Sequence, residues 1–334
     1  MWRENEETAA ITTRVCESHI RFGHFEYLYH SNQIDELTQL MDFCIDEYYP
    51  ECKQSDNPYC GLLKGIVERT AIMIAKWQAF GFCHGVMNTD NLSIIGETID
   101  YGPCAFMDTY HPEKVFSSID HQGRYAYQNQ PGSAHWNLMQ LAQCLLPLLD
   151  DDQETAVNLA QSAIDTFPAV FAEAYNMRLN EKFGFTSSTE GDQALTQQFF
   201  SLMAEHKLDF TLSFRCLCEL LDDRESSSTN AKVTELQSFP QEFDTWIAAW
   251  KLRVGSDGSN ADATERMQRA NPAVIARNHQ VEHVIQRASS EGDFEPFYRL
   301  LAVLQSPWSL AADDLSFAET PATHEIVSRT FCGT

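Results

Sequence analysis

Helical periodicity dominates this chain of 334 residues and gives way to a strand-like pattern in one short stretch. Apolar residues recur at three- and four-residue steps over residues 34–48, and Pro50 ends this predicted helical segment. They recur again from about 62 to 80, where Gly81 suits a left-handed helix end. The pattern resumes near residue 134 and continues through 149. The sequence therefore predicts a mainly α protein.

The strand-like stretch lies between residues 92 and 101. The runs 92–95 (LSII) and 98–101 (TIDY) are short and rich in β-branched residues, and Gly96 and Glu97 separate them. Two such runs around a glycine-containing turn predict one short β-hairpin. Because the rest of the chain alternates helical segments with polar breaks, its sheet content is too small for a doubly wound α/β fold.

The charge balance excludes several classes of partner. Lys and Arg total 23 against 48 Asp and Glu, which gives a formal net charge of −25. Nucleic-acid surfaces and anionic membranes both need clustered cations, so we expect neither partner. No apolar run approaches the length of a membrane span, and the polar, acidic N-terminus resembles neither a signal nor a transit peptide. The expected location is cytoplasmic, or mitochondrial if the source is eukaryotic.

The chemistry of the chain concentrates around the predicted hairpin. A long helix precedes the loop 84–91 (HGVMNTDN), and the hairpin then leads into Asp100, Tyr101 and Gly102. A helix, a His-containing loop, an Asn, a hairpin and an Asp-aromatic-Gly follow one another in the catalytic centre of protein kinases. Asn91 and Asp100 are the candidate ligands, because carboxamide and carboxylate oxygens suit Mg²⁺.

One position departs from the kinase pattern. With His84 aligned on the kinase loop histidine, Val86 falls where a kinase carries its catalytic aspartate, and valine cannot accept a proton. Asp90 is the one carboxylate within the loop and is the candidate base. Each residue also has an ordinary alternative: turn chemistry for Asp90 and Asn91, a structural role for His84, and a strand-end cap for Asp100. The combined order favours a site for metal and nucleotide.

The loop 84–91 followed by residues 100–103 (DYGP) resembles the signature of selenoprotein O-type protein adenylyltransferases. Further matching stretches are 21–26 (RFGHFE), 120–125 (DHQGRY), 129–131 (NQP), 136–138 (WNL) and 271–279 (NPAVIARNH). The resemblance implies a protein-kinase-like catalytic lobe over residues 1–185. It also implies an α-helical C-terminal extension, residues 186–334, packed on that lobe.

The resemblance also implies roles for individual residues. Asp90 matches the family's catalytic base, and Asn91 and Asp100 match its ligands for Mg²⁺ or Mn²⁺. Arg14 and Arg21 match two arginines that bind ATP, and Asp100 also lies near the phosphates in the family. In the family, ATP lies reversed relative to a kinase, and the resemblance therefore implies that AMP passes to Ser, Thr or Tyr hydroxyls of proteins and pyrophosphate leaves. A reversed nucleotide no longer needs the kinase aspartate.

The two arginines also have a physical interpretation. Seven residues separate Arg14 from Arg21, which would place both on one face if the segment were helical. Guanidinium groups suit phosphate oxygens, whereas the alternative is solvated surface charge. The neighbouring Phe22, Phe25 and Tyr27 favour partial burial, and a buried arginine requires an anion.

Cys332 is the third residue from the end of the sequence and resembles the family's C-terminal redox residue. A thiol in a tail can reach another cysteine and exchange with it, and the alternative is an inert tail cysteine. The ten cysteines include no C-x-x-C pair, so we expect most to be reduced thiols and none to form a zinc site of that type.

The family's N-terminal lobe carries a glycine-rich stretch and a lysine–glutamate pair that hold ATP, and this sequence contains neither. We therefore expect the N-terminal nucleotide-binding lobe to be absent from this chain. Two hypotheses follow: an AMP-transferring enzyme that obtains this lobe from a separate chain, or a non-catalytic, pseudokinase-like remnant that acts by binding. A conventional kinase is a third hypothesis, which Val86 disfavours.

Overall fold

The computed structural model describes residues 11–221 and 233–331. The helices are α1 (Phe22–His30), α2 (Ile34–Tyr48), α3 (Pro58–Phe80), α4 (Gln130–Leu149), α5 (Gln153–Ile164), α6 (Phe167–Phe183), α7 (Asp192–Glu205), α8 (Phe210–Leu221), α9 (Asp244–Asp257), α10 (Asn260–Ala270), α11 (Asn278–Gln286) and α12 (Glu295–Leu304). Two strands, β1 (Phe82–Cys83) and β2 (Ala105–Phe106), pair antiparallel.

The prediction of a mainly α protein is confirmed. None of the helices described is both long enough and apolar enough to cross a membrane.

Helix α3 is the centre of the first core and leads directly into the loop that carries the predicted site. The Asn57 side chain accepts a hydrogen bond from the Cys60 backbone N–H, and Pro58 occupies the first turn, where its missing N–H costs nothing. Gly81 ends the helix at φ 67°, as predicted. Because α3 packs against α4, α5 and α6, it is apolar on nearly every side.

The predicted hairpin forms only in part. Leu92 and Thr98 make a single antiparallel bridge, while the two-stranded sheet lies outside the predicted runs. The backbone of residues 92–94 is instead hydrogen-bonded to residues 20–22: the Phe22 N–H donates to the Leu92 carbonyl at 3.1 Å, and the Ile94 N–H donates to the Ile20 carbonyl at 3.2 Å. The backbone groups of residues 92–94 that a hairpin would have used therefore bond to a segment some 70 residues away in the chain.

A second core, rich in aromatic rings, lies between the loops after β2 and helices α6 to α10. Phe199 is fully buried there, with its ring centroid 4.6 Å from that of Trp246 and 5.3 Å from that of Phe214. Helix α6 packs against α3 of the first core and against α8 and α10 of the second. These contacts connect the two cores, and the division of the chain at residue 185 stays a prediction.

A buried ion cluster fixes residues of the motif 271–279 against the rest of the protein. Arg277 is 1% exposed, and its Nη1 lies 2.7 Å from Oδ2 of Asp209 and in contact with the carboxylate of Asp108. Burial raises the pKa of Asp108 despite the opposing effect of the guanidinium. Since Asp108 follows β2 and Asp209 precedes α8, one guanidinium holds three distant segments together.

Candidate functional site

His84 is an internal support of the predicted loop. Its side chain is fully buried, its ring stacks on Trp77 with centroids 5.1 Å apart, and Nε2 donates to the Ile99 carbonyl at 2.8 Å. Burial lowers the pKa of the imidazole, which keeps the ring neutral. The structural alternative for His84 is therefore the one that the geometry favours: the histidine holds the backbone that leads into Asp100.

Asn91 is oriented by the loop itself. Its Nδ2 donates to the Val86 carbonyl at 3.0 Å, so that Oδ1 is the side-chain atom suited to accept a cation. The loop in turn is fixed to helix α4, because Nδ2 of the buried Asn137 donates to the Met87 carbonyl at 2.7 Å. Val86 thus contributes a backbone acceptor that orients the Asn91 side chain.

Asp100 is the point at which the two predicted arginines meet. Its Oδ1 lies 2.6 Å from Nη1 of Arg14, and its Oδ2 lies 3.0 Å from Nη1 of Arg21. The backbone of Asp100 has φ 56°, the left-handed region that non-glycine residues rarely occupy. Oδ2 is shielded from solvent and has no hydrogen bond among the described residues, since the contact with Arg21 lacks hydrogen-bond alignment.

The helical arrangement considered for Arg14 and Arg21 is wrong. Residues 11–20 form no helix, and Arg21 is the residue before α1, bridged to Ser93 in antiparallel fashion. The Arg21 guanidinium lies near Asp100 because residues 20–22 are hydrogen-bonded along residues 92–94, and Arg14 contacts Asp100 from the non-helical segment that precedes them. Of the flanking aromatic residues, Phe22 is buried as expected, whereas Tyr27 is 66% exposed.

Asp90 lies on the side of the site that faces α1. It belongs to a single 3₁₀ turn, Thr89–Asn91, and its backbone carbonyl accepts a hydrogen bond from Nη1 of Arg21 at 3.0 Å. Its exposed carboxylate lies so close to α1 that a Cβ at Gly23 would be 2.0 Å from Oδ1. Gly23 is therefore the residue that makes room for this carboxylate.

Four of the predicted residues line one cleft of about 700 Å³: Arg14, Arg21, Asn91 and Asp100. Asp90 is adjacent through Asn91, but its carboxylate is not part of the lining. Within residues 11–221 and 233–331, no group of three His, Cys, Asp or Glu side chains is placed to hold a metal ion. The candidate cation site thus consists of one carboxylate and one carboxamide, with the second carboxylate beside them.

Sequence reasoning missed the opposite wall of the cleft, which residues 117–119 and Phe331 form. There the Thr330 N–H donates to the Phe116 carbonyl at 2.8 Å, and the Thr330 hydroxyl donates to the Pro103 carbonyl. The pairing joins residues 227 positions apart, and no local pattern signals it. Cys332 follows directly but lies outside the described residues, so its redox role stays a prediction.

The lining combines groups for anions with groups for a cation. Two guanidiniums, 44% and 27% exposed, can bind phosphate oxygens. Oδ1 of Asn91 and the carboxylate of Asp100 are hard oxygen donors, and the buried Oδ2 of Asp100 accepts no hydrogen bond from a described residue. These donors fit a divalent cation of the Mg²⁺ type. The cleft is therefore equipped for a metal-bound polyphosphate.

Comparisons with known proteins agree with this chemistry. A family model described as "Protein adenylyltransferase SelO" matches residues 1–305. The chain is 44% identical over 336 residues to a protein named "Protein nucleotidyltransferase YdiU" from Agrobacterium fabrum, with 99% of this chain and 67% of that protein covered. Proteins of the same name from Methylorubrum extorquens and Rhodopseudomonas palustris are 45% identical, with 99% of this chain and 68% and 67% of the relatives covered. The chain spans about two thirds of the length of these relatives.

Proposed function

Since this chain belongs to the SelO family of protein adenylyltransferases, we propose that it transfers AMP from ATP to Ser, Thr or Tyr hydroxyls of proteins and releases pyrophosphate. The observation that carries the proposal is the meeting of Arg14 and Arg21 at Asp100, in a cleft that Asn91 also lines. A kinase-like catalytic lobe over residues 1–185 and a helical extension over 186–334 belong to the same proposal.

The arginines bind and stabilise the phosphates in this mechanism. Arg14 and Arg21 donate hydrogen bonds to phosphate oxygens and stabilise the negative charge that develops on the departing pyrophosphate. Asn91 and Asp100 would hold Mg²⁺ or Mn²⁺ through their side-chain oxygens. When bound, the ion supplies further stabilisation of charge on the phosphate oxygens.

Asp90 acts as the base. Its exposed carboxylate accepts the proton of the incoming hydroxyl, whose oxygen forms a bond to the α-phosphorus while the bond to the β-phosphate oxygen breaks. The hydrogen bond from Arg21 to the Asp90 carbonyl fixes the turn on which this carboxylate stands. Arg21 thereby connects the phosphate-binding part of the cleft with the proton acceptor.

The test uses ATP labelled at the α- or at the γ-phosphate, with Mg²⁺ and acceptor proteins. We expect label on protein from the α position only, and a loss of about a hundredfold or more in Asp90→Ala. Asp56→Ala, which removes an exposed carboxylate that does not line the cleft, is the control and should retain activity. Transfer from the γ position would indicate a kinase. No transfer from either position would favour a protein that acts by binding.

Gly23→Ala is expected to reduce AMP transfer more than about tenfold without unfolding the protein, because the new Cβ would displace the Asp90 carboxylate. The displaced group is the end of a side chain, and Ala favours a helix by about 0.5–1 kcal/mol over Gly. Thermal unfolding should therefore show an unchanged or raised Tm. Gly132→Ala, also in a helix but with nothing within 4 Å of the new Cβ, is the matched control. Full activity of Gly23→Ala would contradict the role of Asp90.

A further inference from the structure

A second cavity, of about 460 Å³, lies where α3, α6 and α10 end and shares no lining residue with the cleft. We call it the basic cavity. Its lining contains five cations, namely Lys76, Arg178, Lys182, Arg266 and Arg269. Among the described residues, Glu181 supplies the one carboxylate that lines it with them. In a chain where acidic residues outnumber basic ones by 48 to 23, a cavity with a mostly basic lining requires an explanation.

Ion pairs account for only part of this charge. Arg178 lies 2.8 Å from Glu181, and Arg269 is paired with the exposed Glu265. For the other three cations, no carboxylate of a described residue lies within ion-pair distance. Five cations therefore face two carboxylates at this cavity.

Lys182 is the least expected of these cations. It is 3% exposed, its Nζ lies 4.0 Å from the centroid of the Phe214 ring, and burial lowers its pKa to about 7. Arg266 is a second case, since its Nε is buried without a hydrogen-bond partner among the described residues, while Nη2 donates to the Gly184 carbonyl at 2.9 Å. Burying unpaired polar and charged groups costs free energy that a bound anion would recover.

The partial negative charges at the helix C-termini offer a competing explanation for the cluster of cations. Each helix C-terminus carries roughly half a negative charge, so the three ends that meet here offset about half of the excess positive charge. The contact of Arg266 with the carbonyl of Gly184 is of this kind. With Lys182 protonated, a positive excess of about one and a half charges remains. The helix ends therefore do not account for the whole cluster.

The rim of the basic cavity is aromatic. Trp308 is 42% exposed, and its ring centroid lies 6.3 Å from that of Phe80. An exposed indole beside cations suits a ligand that joins a phosphate to a planar ring. We propose that the basic cavity binds a small organic phosphate of the nucleoside monophosphate class, with its phosphate at Lys182 and Arg266 and its ring at Trp308. This proposal does not rest on the function proposed for the cleft.

The test is calorimetric titration of the whole chain with AMP and with inorganic phosphate, without divalent cations. Lys182→Met should weaken the binding of AMP at least about tenfold, since it removes a charge-assisted contact. Its fold should persist, because an apolar side chain of similar length replaces a buried charge. Lys251→Met, on the exposed side of α9, and Arg14→Met, in the cleft, should leave this binding event unchanged.

Three results would overturn the proposal. AMP binding that survives Lys182→Met would show that the basic cavity is not the site. Binding that depends on Arg14 would assign the nucleotide to the cleft. Inorganic phosphate that binds as tightly as AMP would show that the aromatic rim contributes nothing.

Proton uptake gives an independent readout. The titratable and charged groups that line the cavity with Lys182 or act on it are Lys76, Arg178, Glu181, Arg266, Arg269 and Cys218. Burial raises the pKa of Cys218 to about 11, so this thiol is neutral near pH 8. An anion would recharge Lys182, and the heat of AMP binding at pH 8 should therefore vary with the ionisation enthalpy of the buffer. In Lys182→Met the variation should vanish. Equal heats in all buffers at pH 8 would contradict the proposal.

Discussion

Asp100→Asn is expected to lower AMP transfer by about a thousandfold or more while costing less than about 1 kcal/mol of stability. The substitution removes the charge that meets Arg14 and Arg21, and with it the one carboxylate that lines the candidate cation site among the described residues. Asparagine is the informative replacement because it tolerates the left-handed backbone that Asp100 adopts at φ 56°. The loss would therefore report on charge and not on a distorted loop.

The measurement combines the rate of transfer from α-labelled ATP with thermal unfolding of the same preparation. Asp46→Asn is the matched control, since Asp46 is exposed, is paired with Lys53, and lies outside the cleft. The control should keep its full rate. A rate for Asp100→Asn within tenfold of the unmodified protein would remove Asp100 from the cation site and leave the proposed mechanism without its central carboxylate.

Arg277→Met should destabilise the protein by about 3–5 kcal/mol, because it leaves the buried carboxylate of Asp209 and the partly buried carboxylate of Asp108 without their cation. Arg277 is 1% exposed and bridges Asp108 and Asp209. Burial already raises the pKa of Asp108, and without the guanidinium that pKa would rise further. A raised folded-state pKa makes stability fall as pH rises, so the deficit should be smaller near pH 4 than at pH 7.

Urea unfolding at the two pH values measures this prediction. Arg269→Met provides the comparison: its ion pair with Glu265 is 77% and 62% exposed, and its loss should cost less than about 1 kcal/mol at either pH. A deficit for Arg277→Met that is equally small, or that grows toward pH 4, would mean that the cluster does not hold Asp108 and Asp209 as buried charges.

The helices were predictable because their determinants are local. The apolar period over residues 34–48 reproduces α2, and the glycine after Phe80 ends α3 where the sequence indicated. Helix starts were less well predicted. Helix α3 begins four residues before the predicted start, where Asn57 caps it, and α4 begins four residues early with Pro131 in its first turn. Both signals were present in the sequence and follow ordinary capping rules.

The residues of the site can be predicted from the sequence, but their arrangement in space cannot. Asn91, Asp100 and both arginines line one cleft, but no helix aligns the arginines, and the predicted hairpin between Asn91 and Asp100 is present as the single Leu92–Thr98 bridge. The backbone pairing of residues 20–22 with 92–94 places Arg21 beside the loop, and pairing between distant segments leaves no periodic pattern in either one. The position of the Asp90 carboxylate also depends on Gly23, which only the packing of α1 reveals.

The two walls of the cleft have a practical consequence. Arg21 reaches Asp90 across 69 residues, and Thr330 reaches Pro103 across 227, so both walls are held by closures of long loops. Neither closure involves the interior of a helix. A preparation can therefore retain its full helix content, and give an unchanged circular dichroism spectrum, after either wall of the cleft has lost these hydrogen bonds. Whether the cleft is intact should therefore be judged from nucleotide binding and not from helix content.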